Sequence, residues 1–239
     1  MSGSLRRMGM RSLTLLMLLV ARTALAQPPA ESGIARDARA GVPLACLHVM
    51  LVDSADSPVA HTVTDSAGTF VLVAPAPGVY RVGFEIFGWE RLVGPVDTLR
   101  EGELRERSYP LDFTRVLRPD SASPADMLAA LRRREGSAWR SAAVAPPDAP
   151  IRYPKAMIAD QASGGVIAQY IVDESGRARA DSWRPIESSH GEFLAALRAY
   201  LPAMRYEPAR LDGQPVCQLV RNHVRFDWAV PVPYITLFN

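Results

Sequence analysis

Four histidines and two cysteines are the residues of this 239-residue chain with the most scope for chemistry. His48 and His61 each stand alone in an alternating, strand-like run, with no His-x-x-Glu or His-Glu-x-x-His beside them to supply a zinc site. His190 falls in the first turn of an expected helix, and His223 lies on the outward side of an expected final strand. Asp160 and Asp173, or Asp212 and Asp227, could be paired as carboxylates, but each sits where a turn or strand end accounts for it. No Gly-x-Ser-x-Gly elbow and no phosphate-cradling glycine loop occurs. These residues point away from an enzyme, a metal, a cofactor or a small-molecule substrate. Cys46 and Cys217 leave two readings open: a disulfide clamping two domains, or two buried thiols packing as small apolar groups.

The N-terminus suggests an oxidising destination. Arg6, Arg7 and Arg11 precede an apolar run from Ser12 to Ala21, and Ala24-Leu25-Ala26 before Gln27 fits a signal-peptidase site. Arg22 closes the run well short of the roughly 20 residues a bilayer-spanning helix needs. Residues 1–26 therefore read as a cleaved secretory signal, with export to the periplasm; inner-membrane anchoring is the weaker reading. The full chain carries 27 basic and 25 acidic side chains, a net +2. The signal holds four arginines and no acid, so its removal gives 2 − 4 = −2. Nucleic-acid binding then lacks the basic patch that phosphate contacts require.

Residues 33–113 alternate with period two between closely spaced turns, which predicts an all-β sandwich. The expected strands are 44–52, 60–64, 69–74 and 79–87, with weaker ones near 91–99 and 103–113. Asp65-Ser66-Ala67-Gly68 reads as a hairpin turn between the second and third of these. Residues 114–150 read as a linker with a short helix opening at Ser123-Pro124-Ala125-Asp126, followed by a proline-rich stretch from Ala145 to Pro150.

From residue 151 to 228 the pattern changes to a small antiparallel sheet packed by one helix, an α+β domain, with a tail at 229–239. Val166 to Asp173 is apolar on both faces and reads as the central strand, with Arg177 to Trp183 as its exposed return. Ser189 and Glu192 have the spacing of a capping box, and Phe193, Leu194, Leu197, Tyr200 and Leu201 form an apolar stripe before Pro202. In the last strand Val216, Val220, Val224 and Phe226 alternate against Arg221, His223 and Arg225. One face is expected to pack and the other to meet water. A strand longer than its neighbours leaves backbone open to another chain.

Two resemblances add to this. Thr64-Asp65-Ser66-Ala67-Gly68-Thr69-Phe70, Pro77-Gly78-Val79-Tyr80, Phe87-Gly88-Trp89 and Gly41-Val42-Pro43-Leu44 resemble the carboxypeptidase regulatory-like domain of transthyretin-like fold, implying an accessory sandwich without chemistry. Tyr153-Pro154, Gly164-Gly165-Val166, Val172-Asp173-Glu174-Ser175-Gly176, Tyr206-Glu207-Pro208-Ala209 and Gly213-Gln214-Pro215-Val216 occur in the order of the TonB C-terminal domain family, which the region resembles. The resemblance implies protein binding in the cell envelope by strand addition of an outer-membrane TonB-dependent receptor segment, or of another envelope protein, to the last strand. The binding residues it implies are Gln218, Leu219, Val220, Arg221, Asn222, His223, Val224, Arg225 and Phe226. The short leader and short spacer depart from a membrane-anchored energy transducer for transport. A non-energised envelope adaptor or scaffold, and a homodimer through the last strand, are the alternatives.

Overall fold

The computed structural model describes residues 27–86, 91–113, 138–146, 150–229 and 234–236. It is mostly β-sheet, with one α-helix among the described residues. The expected linker helix at Ser123, the Phe87-Gly88-Trp89 element and the leader lie outside those residues.

The first region is a sandwich of two sheets. One holds β4 (Thr69–Val73), β1 (Ala30–Asp37) and β7 (Leu104–Leu111) in that order; the other holds β3 (Pro58–Val63), β2 (His48–Val52), β5 (Gly78–Glu85) and β6 (Leu92–Leu99). Phe70 and Leu72 of β4, Val82 and Phe84 of β5, and Tyr109 and Leu111 of β7 fill a common core. The opening strand starts at Ala30, ahead of the expected boundary, and runs parallel to β7.

The Asp65–Gly68 turn does not make a hairpin. β3 pairs with β2, whereas β4 pairs with β1, so the turn carries the chain from one sheet to the other. Asp65 holds the corner: its side chain accepts from the backbone N–H of Ala67 and Thr69. Gly68 adopts φ +75°, and a Cβ there would lie 2.5 Å from the Ala35 carbonyl. The stretch expected as strand from Leu44 begins instead as a turn, with Cys46 at φ 56°; β2 starts at His48.

The second region is built on β11 (Arg184–Ser188), β10 (Gly164–Val172), β15 (Gln218–Phe226) and β16 (Tyr234–Thr236), paired in that order and antiparallel throughout. Helix α1 (Gly191–Tyr200) lays Phe193 and Leu197 on one face, against Val166, Ala168 and Tyr170 of β10 and Val220, Val224 and Phe226 of β15. The return from β10 comes later than expected. Arg177 and Ala178 make isolated antiparallel bridges, to Arg205 and to Val172 of β10, and a 3-10 helix then follows at Ala180–Ser182, because Ser182 Oγ and Arg179 N–H satisfy the two backbone groups of Ile171.

The linker also ends earlier than its prolines suggest. Trp139–Arg140 (β8) pairs with β13 (Ala209–Leu211), itself paired with β14 (Gln214–Val216). Ala143–Ala145 (β9) pairs with β12 (Arg205–Glu207). Trp139 is only 2% exposed, and burying its indole ring on the second core docks this extended stretch there instead of leaving it as a linker. The α1 capping box is not formed. His190 is the cap residue without a side-chain capping bond, and Ser189 Oγ instead accepts from the Gly165 N–H at 3.1 Å.

Candidate functional site

The site to be tested is the outer edge of β15. Its nine residues pair in register with β10, from Gly164 opposite Phe226 to Val172 opposite Gln218. In an antiparallel ladder, successive residues direct their backbone groups to opposite edges. Ile171, opposite Leu219, spends its N–H on Ser182 and its C=O on Arg179, both away from β15. Leu219 therefore belongs to the outward set, together with Arg221, His223 and Arg225; Gln218, Val220, Asn222, Val224 and Phe226 face β10.

That outward edge is occupied at both ends. The Leu219 N–H donates to the Cys46 carbonyl at 2.6 Å. At the other end His223 lies opposite Thr236, and Arg225 opposite Tyr234, so the chain's own tail adds a short antiparallel strand.

The side chains depart from the expected one-face pattern. Gln218, Leu219, Val220, Arg221 and Asn222 are all buried, His223 is half-buried, and of the expected outward row only Arg225 is exposed. The cause is the sandwich, which covers the second face of the sheet: Leu219 and Ile171 belong to its core. Arg221, 4% exposed, donates to Gln169 Oε1 at 2.7 and 3.2 Å and to the Phe113 carbonyl at 3.2 Å. Burial lowers its pKa to about 10, opposed by Asp37 and Asp112, which still leaves it charged at neutral pH.

On the α1 face, Asn222 Nδ2 donates to the hydroxyls of Tyr170 and Tyr206 at 2.6 and 2.5 Å. Burial pushes the Tyr206 hydroxyl up to about 12 and that of Tyr170 well above its ordinary value. Both remain neutral donors. Gln218 Oε1 accepts from the Ala142 N–H at 2.8 Å, and Phe226 stacks on Phe193 with centroids 4.5 Å apart. Val224 completes the buried row.

The two cysteines are joined: Cys46 and Cys217 form a disulfide across 171 residues, with Cα atoms 5.4 Å apart. It links the turn before β2 to the residue before β15.

A second polar group, not foreseen from sequence, lies at another junction between the two regions. His48 on β2 is directly opposite Glu85 on β5, and His61 is two residues out of register on β3. The result is a row in which Glu85 Oε2 lies 3.6 Å from His48 Nδ1, and His48 Nε2 lies 3.0 Å from His61 Nδ1. Trp139 stacks on the His48 ring at 3.7 Å. Burial lowers the pKa of His48 and brings that of His61 to about 4. The lowered values keep both imidazoles neutral at neutral pH, sharing one N–H between Nε2 of His48 and Nδ1 of His61. Among the described residues no group of histidine, cysteine and carboxylate side chains could hold a metal ion. The signal that could have found the row is the strand register, which one sequence does not show.

No protein-family model matches the chain, and no curated protein matches it. Among solved structures it is similar to the 5-hydroxyisourate hydrolase of Klebsiella pneumoniae at 16% identity, covering 36% of this chain and 87% of that one, with a TM-score of 0.29. A DUF3823 family protein from Bacteroides uniformis is 10% identical over 88% of this chain and 99% of that one, TM-score 0.29. A streptococcal ancillary pilin is 11% identical over 89% and 58%, TM-score 0.31. Likenesses at such TM-scores carry no argument about function.

Proposed function

We propose that this chain is an exported, non-enzymatic envelope protein whose second region binds an extended segment of another protein by strand addition to the outer edge of β15. On this reading the second region is a TonB-like α+β module and the sandwich a transthyretin-like accessory domain. The observation that carries it is β16: a short segment of the tail pairs antiparallel with His223–Arg225, the pairing that a partner segment would take over by displacing it. The sheet order β11-β10-β15, with α1 on one face, supports the same reading. The partner it favours is a segment of an outer-membrane receptor. The Cys46–Cys217 bridge favours a non-energised adaptor over a force-transmitting arm, because it fastens the binding strand to the sandwich.

The test is cross-linking in intact envelopes with Arg225→Pro and Arg225→Ala variants. Proline at 225 removes an outward N–H from an exposed position, whereas alanine keeps it. Loss of a receptor cross-link in R225P but not in R225A is expected. Equal cross-linking by both variants would remove strand addition, and recovery of only a second copy of the chain would replace the receptor by a homodimer.

A further inference from the structure

Resting on that strand-addition reading, we propose that Cys46 is an end stop: its carbonyl, pinned by the disulfide, limits the register and length of any strand added to β15. The outward positions of the edge are Leu219, Arg221, His223 and Arg225. The first is taken by Cys46, whose carbonyl receives the Leu219 N–H at 2.6 Å. Cys46 therefore stands where the next residue of a neighbouring strand would have to lie.

It is not easily pushed aside. Its own N–H donates to the Thr64 carbonyl at 3.0 Å. Thr64 Oγ1 donates to the Leu44 carbonyl at 2.6 Å and accepts from the Leu47 N–H at 2.9 Å, so both flanks of the turn are tied to one buried hydroxyl. The disulfide adds a covalent tie to Cys217, two residues before Leu219. A single carbonyl in a loose loop could swing away; this one is fastened on three sides.

The register of β16 supplies the direction. Tyr234 lies opposite Arg225 and Thr236 opposite His223, so a strand added in this sense runs toward Arg221 with its C-terminal end leading. In that register it reaches no further than Arg221 before meeting Cys46. The partner that fits is an extended segment that pairs opposite residues 221–225 and then ends or turns sharply away at its C-terminal side. A long strand continuing past that point does not fit.

The experiment uses the chain ending at Ala229, in which β16 no longer covers His223–Arg225, with its disulfide intact, and the same chain as C46S/C217S. The probes are synthetic peptides containing Tyr-Ile-Thr, lengthened one residue at a time at the C-terminal end. In the disulfide form, affinity is expected to rise by about two- to tenfold per added hydrogen-bonded residue until the peptide reaches Arg221, and then to stop. In C46S/C217S the gain continues past that length, and the Leu219 amide, followed by hydrogen exchange, is expected to exchange at least about tenfold faster. Binding that keeps strengthening past Arg221 in the disulfide form overturns the end stop while leaving strand addition in place. If no peptide binds to either form, strand addition falls and the end stop with it. Should the double variant not fold, the length cut-off in the disulfide form decides the proposal by itself.

Discussion

The two halves of β15 have the same ladder on one side and different fates on the other. From Gln218 to Asn222 every side chain is buried: Cys46 meets the outer edge at Leu219, and the sandwich core and the Phe113 carbonyl cover the second face through Leu219 and Arg221. From His223 to Phe226 the α1 face is equally buried, but among the described residues the outer edge carries the short tail strand Tyr234–Thr236, and Arg225 reaches solvent. The first half is built as a domain interface and the second as an edge. The difference shows that strand alternation alone does not identify a binding surface; what covers the far face does.

The largest way to break the contrast is to cut the covalent tie. C46S/C217S removes a cross-link spanning 171 residues, and a cost of about 2–5 kcal/mol is expected in chemical denaturation. Fluorescence of Trp139, buried against His48, would report whether both regions loosen together. A loss below about 1 kcal/mol would mean that the noncovalent contacts alone hold the first half of β15.

Next in size is the pair Arg221→Met and Arg225→Ala. Methionine keeps much of the packing of Arg221 but strands the Gln169 and Phe113 oxygens that the guanidinium satisfied. That should cost about 2–3 kcal/mol. Arg225 is exposed, and its loss should stay within about 0.5 kcal/mol. Equal effects at the two positions, measured by urea denaturation, would erase the distinction between the halves.

How much of this was readable in advance depends on which interactions are local. The alternation of β10 and the apolar stripe of α1 are carried by neighbouring residues, and both elements stand where their periodicity places them. The burial of Arg221 was not readable, because its partners are 52 and 108 residues away. Ser189 has the sequence of a capping residue, yet Gly165 on another strand claims its hydroxyl. Likewise Asp65–Gly68 is a turn by its residues, but whether it closes a hairpin or changes sheets is decided by β1, which pairs with β4. His48 and His61 looked solitary for the same reason: only the register of β2 against β3 and β5 assembles their row with Glu85.

That row permits a test of whether the disulfide end of β15 depends on the rest of the interface. Burial, followed by the neighbouring His48, holds His61 near 4, against 6.5 for an ordinary histidine, while Glu85 and Asp212 pull it back up. Between those values the unfolded chain binds more protons than the folded one, so stability should fall as pH drops from about 6.5 toward 4. His48, also lowered, adds in the same direction, whereas buried Glu31, with its pKa raised, acts oppositely. His61→Gln should therefore flatten the decline in melting temperature on acidification without moving the Leu219 amide. A variant with an unchanged pH profile would remove His61 as the titrating group.

The smallest effect belongs to the open half and is the most specific to it. A chain ending at Ala229 lacks β16, and with it the backbone pairing of Tyr234–Thr236 to His223–Arg225. A strand of three residues at an edge contributes little, so global stability should change by no more than about 1 kcal/mol. The local effect should be larger. His223 and Arg225 direct their backbone outward, and their amides should exchange faster once β16 is gone, as water replaces a protein acceptor. Leu219 uses the Cys46 carbonyl and should keep its protection. If all three amides accelerate together, the edge opens as one unit, and the two halves of β15 are not independent. If only His223 and Arg225 respond, the tail behaves as a strand laid on an edge that the rest of the chain keeps ready, while Cys46 holds the other end closed.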